Sequence, residues 1–253
     1  VSEECGAAPG AAAPSAAGPG VIDLLGLLAY ARLVAFFRLA GDAEFAPTLA
    51  SKGALADLAG AEHANYRRLH DRLAELGVQP ESAMEPFTAP LDAWHARTEP
   101  QGWVESLVKV YVGDGIADDF YSKLAELCDE QTHALVRGTL VESGRAEFVV
   151  ARVRSAVAEE PALAGRLSLW ARRLVGEALS QAQSVAAQRP ELAALLASGV
   201  GKVAPGAGAD GSGQDEGASA AGAEATDLAT VGRVFADLTE SHTARLEALG
   251  LST

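Results

Sequence analysis

Carboxylates and arginines recur in this 253-residue chain at positions where a helix should turn apolar side chains inward. Arg32 lies in VIDLLGLLAYARLVAFFRLA, with Leu28, Ala29, Ala35 and Phe36 a turn away on its own face. Glu62 and Asn65 sit in LADLAGAEHANYRRL, Asp114 in LVKVYVGDGIADDFY, and Glu142 and Arg145 in LVRGTLVESGRAEFVV. Residues three apart share a helical face, so Glu62 with Asn65 and Glu142 with Arg145 form two such pairs. Four helices that bring Glu, Glu-x-x-His, carboxylate and carboxylate-x-x-His into one interior bind two iron ions. This chain keeps that spacing but fills half the positions with side chains that do not bind iron. Guanidiniums instead fork onto carboxylates, so the expected chemistry is a buried salt-bridged network of Arg32 and Arg145 with Glu62, Asp114 and Glu142. Arginines facing solvent are the alternative, and Asp118 or Asp119 competes with Asp114 for the inward position.

The remaining histidines do not complete a metal site. His63 points about 100° around the helix from Glu62. Glu130 and His133 have Glu-x-x-His spacing, but they fall in the first turn of a helix, about 18 Å along it from Glu142. His70, His95 and His242 are isolated from that spacing, and Asp92-Ala-Trp-His95 reads as a packing element. Gly113 and Gly115 flank Asp114 inside a helix, at about 1 kcal/mol each relative to Ala, which points to close helix packing or a local bulge. Arg67-Arg68 and Arg172-Arg173 read as solvated faces.

Long 3.6-period stretches rich in Ala, Leu and Arg carry these residues and argue for an all-α protein. Helices are expected over about Val21–Ala40, from Pro47 to about Leu76 with Gly77 as its C-cap, over Gln101–Cys128, and from Asp129 to about Glu160. Residues 78–100, interrupted by four prolines, leave room for one or two short crossover helices. Pro161 opens a fifth helix that Pro190 kinks or ends. The domain reading is a disordered Ala/Gly/Pro tail (1–19), a helical bundle (20–199), a low-complexity linker (200–225) and a terminal helix (226–253) that docks on the bundle or on a partner.

Lys and Arg number 20 against 34 Asp and Glu, a net charge of −14. Such a surface disfavours phosphate backbones and anionic lipid. Cys5 and Cys128 form no disulfide framework and no metal knuckle. The segment 21–40 carries Asp23, Arg32 and Arg38 and reads as too charged to span a membrane. VSEECGAAPG lacks the basic start and apolar core of a secretion signal. A cytoplasmic location without membrane contact is the expectation.

LAYARLVAFFRLAGDAEFAPTL, AMEPFTAPLDAWHARTEP, LVKVYVGDGIADDFY and RLSLWARRLVGEALSQAQ resemble the ferritin-like proteins related to MiaE, the non-haem di-iron hydroxylase of prenylated, methylthiolated adenosine in tRNA. The resemblance covers about Val21–Gln183 and the terminal helix. It implies a ferritin-like four-helix bundle with crossover short helices and additional C-terminal helices. The family's first-helix Glu falls on Arg32, its second-helix Glu and His on Glu62 and Asn65, its third-helix carboxylate on Asp114, and its fourth-helix carboxylate and His on Glu142 and Arg145. Glu62, Asp114 and Glu142 are then residual ligand positions, and Arg32, Asn65 and Arg145 substituted ones. The expectation is a metal-free structural or interaction protein that works with an unidentified protein partner or a second copy of itself. The alternative is an iron or manganese oxygenase acting on a modified tRNA base, which the acidic surface opposes.

Overall fold

The computed structural model describes residues 17–140, 144–200 and 240–251. The helices are α1 (Pro19–Phe45), α2 (Leu49–Glu75), α3 (Pro80–Arg97), α4 (Trp103–Val108), α5 (Asp114–Ala125), α6 (Glu130–Leu140), α7 (Arg145–Glu159), α8 (Leu163–Gln188) and α9 (Pro190–Val200). A π turn, Lys109–Gly113, joins α4 to α5, and residues 240–249 form a further helix. The described chain is an all-α helical bundle, as the periodicity predicts. Residues 1–16, 141–143 and 201–239 lie outside the described residues. With them go most of the expected tail, the linker, the first part of the terminal helix, and Glu142.

α1 runs through Gly41-Asp42 to Phe45, where the sequence suggests a stop at Ala40. A single mid-helix Gly weakens a helix without breaking it. The Lys52 ammonium donates to the carbonyls of Ala43 and Glu44, covering acceptors that the helix end leaves open. Thr48, not Pro47, then starts α2, accepting the Ser51 N–H at 3.1 Å as an N-cap. Gly77, at φ 76°, ends it: Val78 N–H reaches the Leu73 carbonyl at 3.0 Å, the closing bond of a Schellman turn.

Where short crossover helices are expected, α3 is one helix of 18 residues that keeps Pro86 and Pro90 inside it. Four residues apart, the two prolines stand on one side, while Ala83, Met84, Phe87, Leu91 and Trp94 bury the other. Carbonyls freed by the missing N–H groups therefore face away from the core, which lowers the penalty of an interior proline. Gly26 sets how closely α1 and α3 cross, since a Cβ there would lie 2.2 Å from the Ala83 carbonyl oxygen.

Two further helices differ from expectation. The third is one rod from Trp103 to Ala125, but its middle is the π turn, which inserts one residue and rotates everything beyond it by about 100°. The fourth is interrupted: α6 ends at Leu140 and α7 begins at Arg145, after Gly144 at φ 74°. α1 has the length and hydropathy of a membrane-crossing helix. It is nonetheless packed into the bundle, with Leu24, Leu25, Leu28 and Ala29 at 0% exposure and two charged residues, Asp23 and Arg32, buried in ion pairs.

The apolar core divides in two. One cluster gathers Leu39 of α1, Leu55, Leu58 and Ala59 of α2, Leu107–Ile116 positions of the rod, and Leu167–Leu174 positions of α8. The other gathers Leu24–Ala29 of α1, Leu69 and Leu73 of α2, Phe87 of α3, and Tyr121 and Leu124 of α5. Between them lie charged residues of α1, α2, α5 and α7.

Candidate functional site

The charged layer is built from one position each on α1, α2 and α7 and two on α5. Arg32 follows Ala29 of the second cluster and precedes Leu39 of the first, and Glu62 stands between Ala59 and Leu69 in the opposite sense. Asp114 and Asp118 leave α5 one turn apart, just beyond the π turn. Arg145 opens α7, where the left-handed Gly144 turns the chain inward. Arg32 and Glu62 are 3% exposed and Arg145 7%.

The geometry is a chain of five groups. Arg32 Nη1 donates to Glu62 Oε2 at 3.3 Å, and its Nη2 makes a short bond to Asp118 Oδ1. Arg145 Nη2 donates to Glu62 Oε1 at 2.7 Å and its Nη1 to Asp114 Oδ2 at 3.3 Å. Glu62 thus offers one oxygen to each guanidinium and bridges them. Both arginines face inward, Arg32 with its Nε buried and without a partner.

Asp114 and Asp118, offered by the sequence as alternatives, both join the layer, since four residues apart on a helix is one face. Asp119 points elsewhere, to Arg245 at 2.8 Å. Asn65 does not enter the ion-pair chain: its amide donates to the Thr139 carbonyl at 3.2 Å, serving the C-terminal end of α6. Glu142 lies outside the described residues. His63 packs its ring at 5.2 Å from Phe36 and 5.9 Å from Tyr66, outside the charged layer.

Two guanidiniums face three carboxylates here, so full ionisation would leave one buried negative charge in excess. The group shifted toward protonation is Asp114. Burial, reinforced by Asp118 and Glu62, pushes its carboxyl up to about 7 against the pull of Arg145 and Arg32. Arg32 moves the other way from a desolvated cation: Asp118, Glu62 and Asp114 outweigh burial and hold it charged. The Tyr121 hydroxyl, on the same face of α5, is raised by burial.

A small cavity of about 20 Å³ adjoins the layer, with Arg38, Asp42, His95, Ser106, Lys109 and Asp114 among its lining residues. Lys109, from the π turn, is 5% exposed; it donates to the Thr98 carbonyl at 2.7 Å and lies 5.0 Å from the Trp94 ring centre. Burial and Arg38 lower it to about 8. The same two influences, with Lys109, lower His95 to about 2, so its ring is neutral. Sequence reasoning did not single out Lys109, a lone lysine between the apolar Val108 and Val110.

Chemically, the layer does not fit a pair of metal ions. Every described carboxylate in it already accepts from a guanidinium, no imidazole points into it, and two fixed cations would repel a dication. Among the described residues no three His, Cys, Asp or Glu side chains gather in a metal-holding group. What the arrangement can do is hold four helix segments in register through charge-assisted bonds.

The model of a ferritin-like domain of actinomycetes matches residues 17–199, and so covers every helix that carries the charged layer. No curated protein matches the chain.

Proposed function

The chain belongs to this ferritin-like family, and from that membership we propose that it is a member that has exchanged its metal centre for an ion-pair core and acts as a structural or interaction protein. The observation that supports the reading is the bridge Arg32–Glu62–Arg145, fixed positive charge in a bundle interior of the kind where di-iron members of the fold gather carboxylates and imidazoles. Metal ions in such a site balance buried carboxylates, and taking them away leaves charges whose burial costs several kcal/mol. Arg32 and Arg145 supply that balance from within the chain. The finer kinship, to MiaE-type hydroxylases, rests on the sequence stretches quoted above. The net charge of −14 favours a protein partner or a second copy over nucleic acid, and a cytoplasmic setting accords with it.

The competing reading is an oxygenase that binds iron or manganese through Glu62, Asp114 and Glu142, with Asn65 as a weak ligand, and hydroxylates a modified tRNA base. An oxygen electrode separates the two. With Fe(II) added anaerobically and the excess removed, the proposal expects oxygen uptake on air admission no faster than for buffer. A stoichiometric burst of uptake would favour the oxygenase.

A further inference from the structure

The terminal helix, residues 240–249, lies beyond the residues 17–199 matched by the family's domain model, yet it is seated on that domain. Three side chains carry its apolar contact. Leu246, Leu249 and Leu251 are 1%, 0% and 4% exposed and join the buried cluster that holds Ile116, Val149 and Val153. Two arginines make specific polar contacts, one from it and one to it. Arg245 reaches Asp119 of α5 at 2.8 Å, passing directly over Gly115, where a Cβ would lie 2.5 Å from Arg245 Nε. At the other end, Arg154 of α7 donates to the Ala248 carbonyl at 2.7 Å and to the Glu247 carbonyl at 3.4 Å, capping the helix. Gly250, at φ 74°, lets Leu251 N–H bond the Leu246 carbonyl at 2.9 Å and folds Leu251 back into the core.

This is the anatomy of a helix held in a recognition groove: apolar anchors one turn apart, a charged pair that sets register, and a glycine notch shaped for one side chain. We infer that the outer face of α5 and α7 is a helix-recognition groove whose ligand is an amphipathic segment of the pattern Arg-Leu-x-x-Leu-Gly-Leu, filled by this chain's own residues 245–251 and open to exchange with the same segment of a second copy. The notch accounts for Gly115 inside a helix: the three atoms nearest an added Cβ there all belong to Arg245. The inference stands on the terminal helix and is independent of whether the charged layer holds metal.

The test uses the full chain and a fluorescent peptide of residues 238–253 as probe. In an Arg245→Ala/Leu249→Ala chain, whose own segment is disabled, the peptide binds saturably; adding Asp119→Arg weakens it about tenfold, and a peptide carrying Arg245→Glu recovers the loss. Absence of saturable binding, or binding indifferent to the Asp119 charge, overturns the groove. A second measurement needs no variant. Hydrogen exchange in the unmodified chain should show amides 244–251 opening at lower free energy than those of α1 and α2. Protection equal to the core would make the helix an inseparable part of the fold and overturn the inference.

Discussion

Glu62 is the residue on which the layer depends, because each of its oxygens answers a different guanidinium. Replacing it by Gln keeps the shape but leaves Arg32 with Asp118 alone and Arg145 with Asp114 alone, so unfolding in urea should show a loss of about 1–3 kcal/mol. Asp114 gives a pH signature. Its folded value, about 7, lies above its ordinary 3.8, so the folded state holds a proton that the unfolded state has released. The stability from that proton is complete below about pH 4 and disappears as the pH rises through 7. Asp114→Asn should therefore flatten the difference in stability measured between pH 5 and pH 8. At this scale the sequence was legible wherever a charged residue interrupted an apolar face, as at Arg32 and Glu62. It was illegible where two carboxylates one turn apart were read as rivals, Asp114 and Asp118, although helical geometry lets both face inward. Asn65 misled for a related reason, since the right face of α2 includes the end of α6 as well as the charged layer.

The helices themselves followed from periodicity, and their interruptions did not. Gly77 and Thr48 act through local backbone chemistry and can be recognised in sequence. Gly113 and Gly115 pointed to close packing or a local bulge, and the π turn at Lys109–Gly113 lies there; the break before Arg145, at the left-handed Gly144, was not read from the sequence. Pro86 and Pro90 ended α3 on paper, but their common outward face let the helix continue. Helix spacing offers a paired test. Gly26→Ala places a methyl against the Ala83 backbone and must part α1 from α3, at about 1–3 kcal/mol. Gly53→Ala, in an exposed part of α2 with nothing within 4 Å, should stabilise by about 0.5–1 kcal/mol. Thermal unfolding should move the two variants in opposite directions.

Across the whole molecule, the charged layer separates two apolar clusters and ties α1, α2, α5 and α7 together at one level. Di-iron bundles of this fold hold their metal ions in the bundle interior, and on the reading proposed above guanidinium–carboxylate pairs stand in for those bonds. The fold class was readable because long amphipathic periods survive any change of site chemistry. The use of the fold was harder to read, because the same spacing of carboxylates serves a metal ion or an arginine. The decisive measurement is metal content by elemental analysis after anaerobic incubation with Fe(II) and desalting, for the unmodified chain beside Arg32→Glu/Asn65→His/Arg145→His. The ion-pair account predicts iron well below one per chain in the unmodified protein and uptake only in the variant. About two irons per unmodified chain would contradict it.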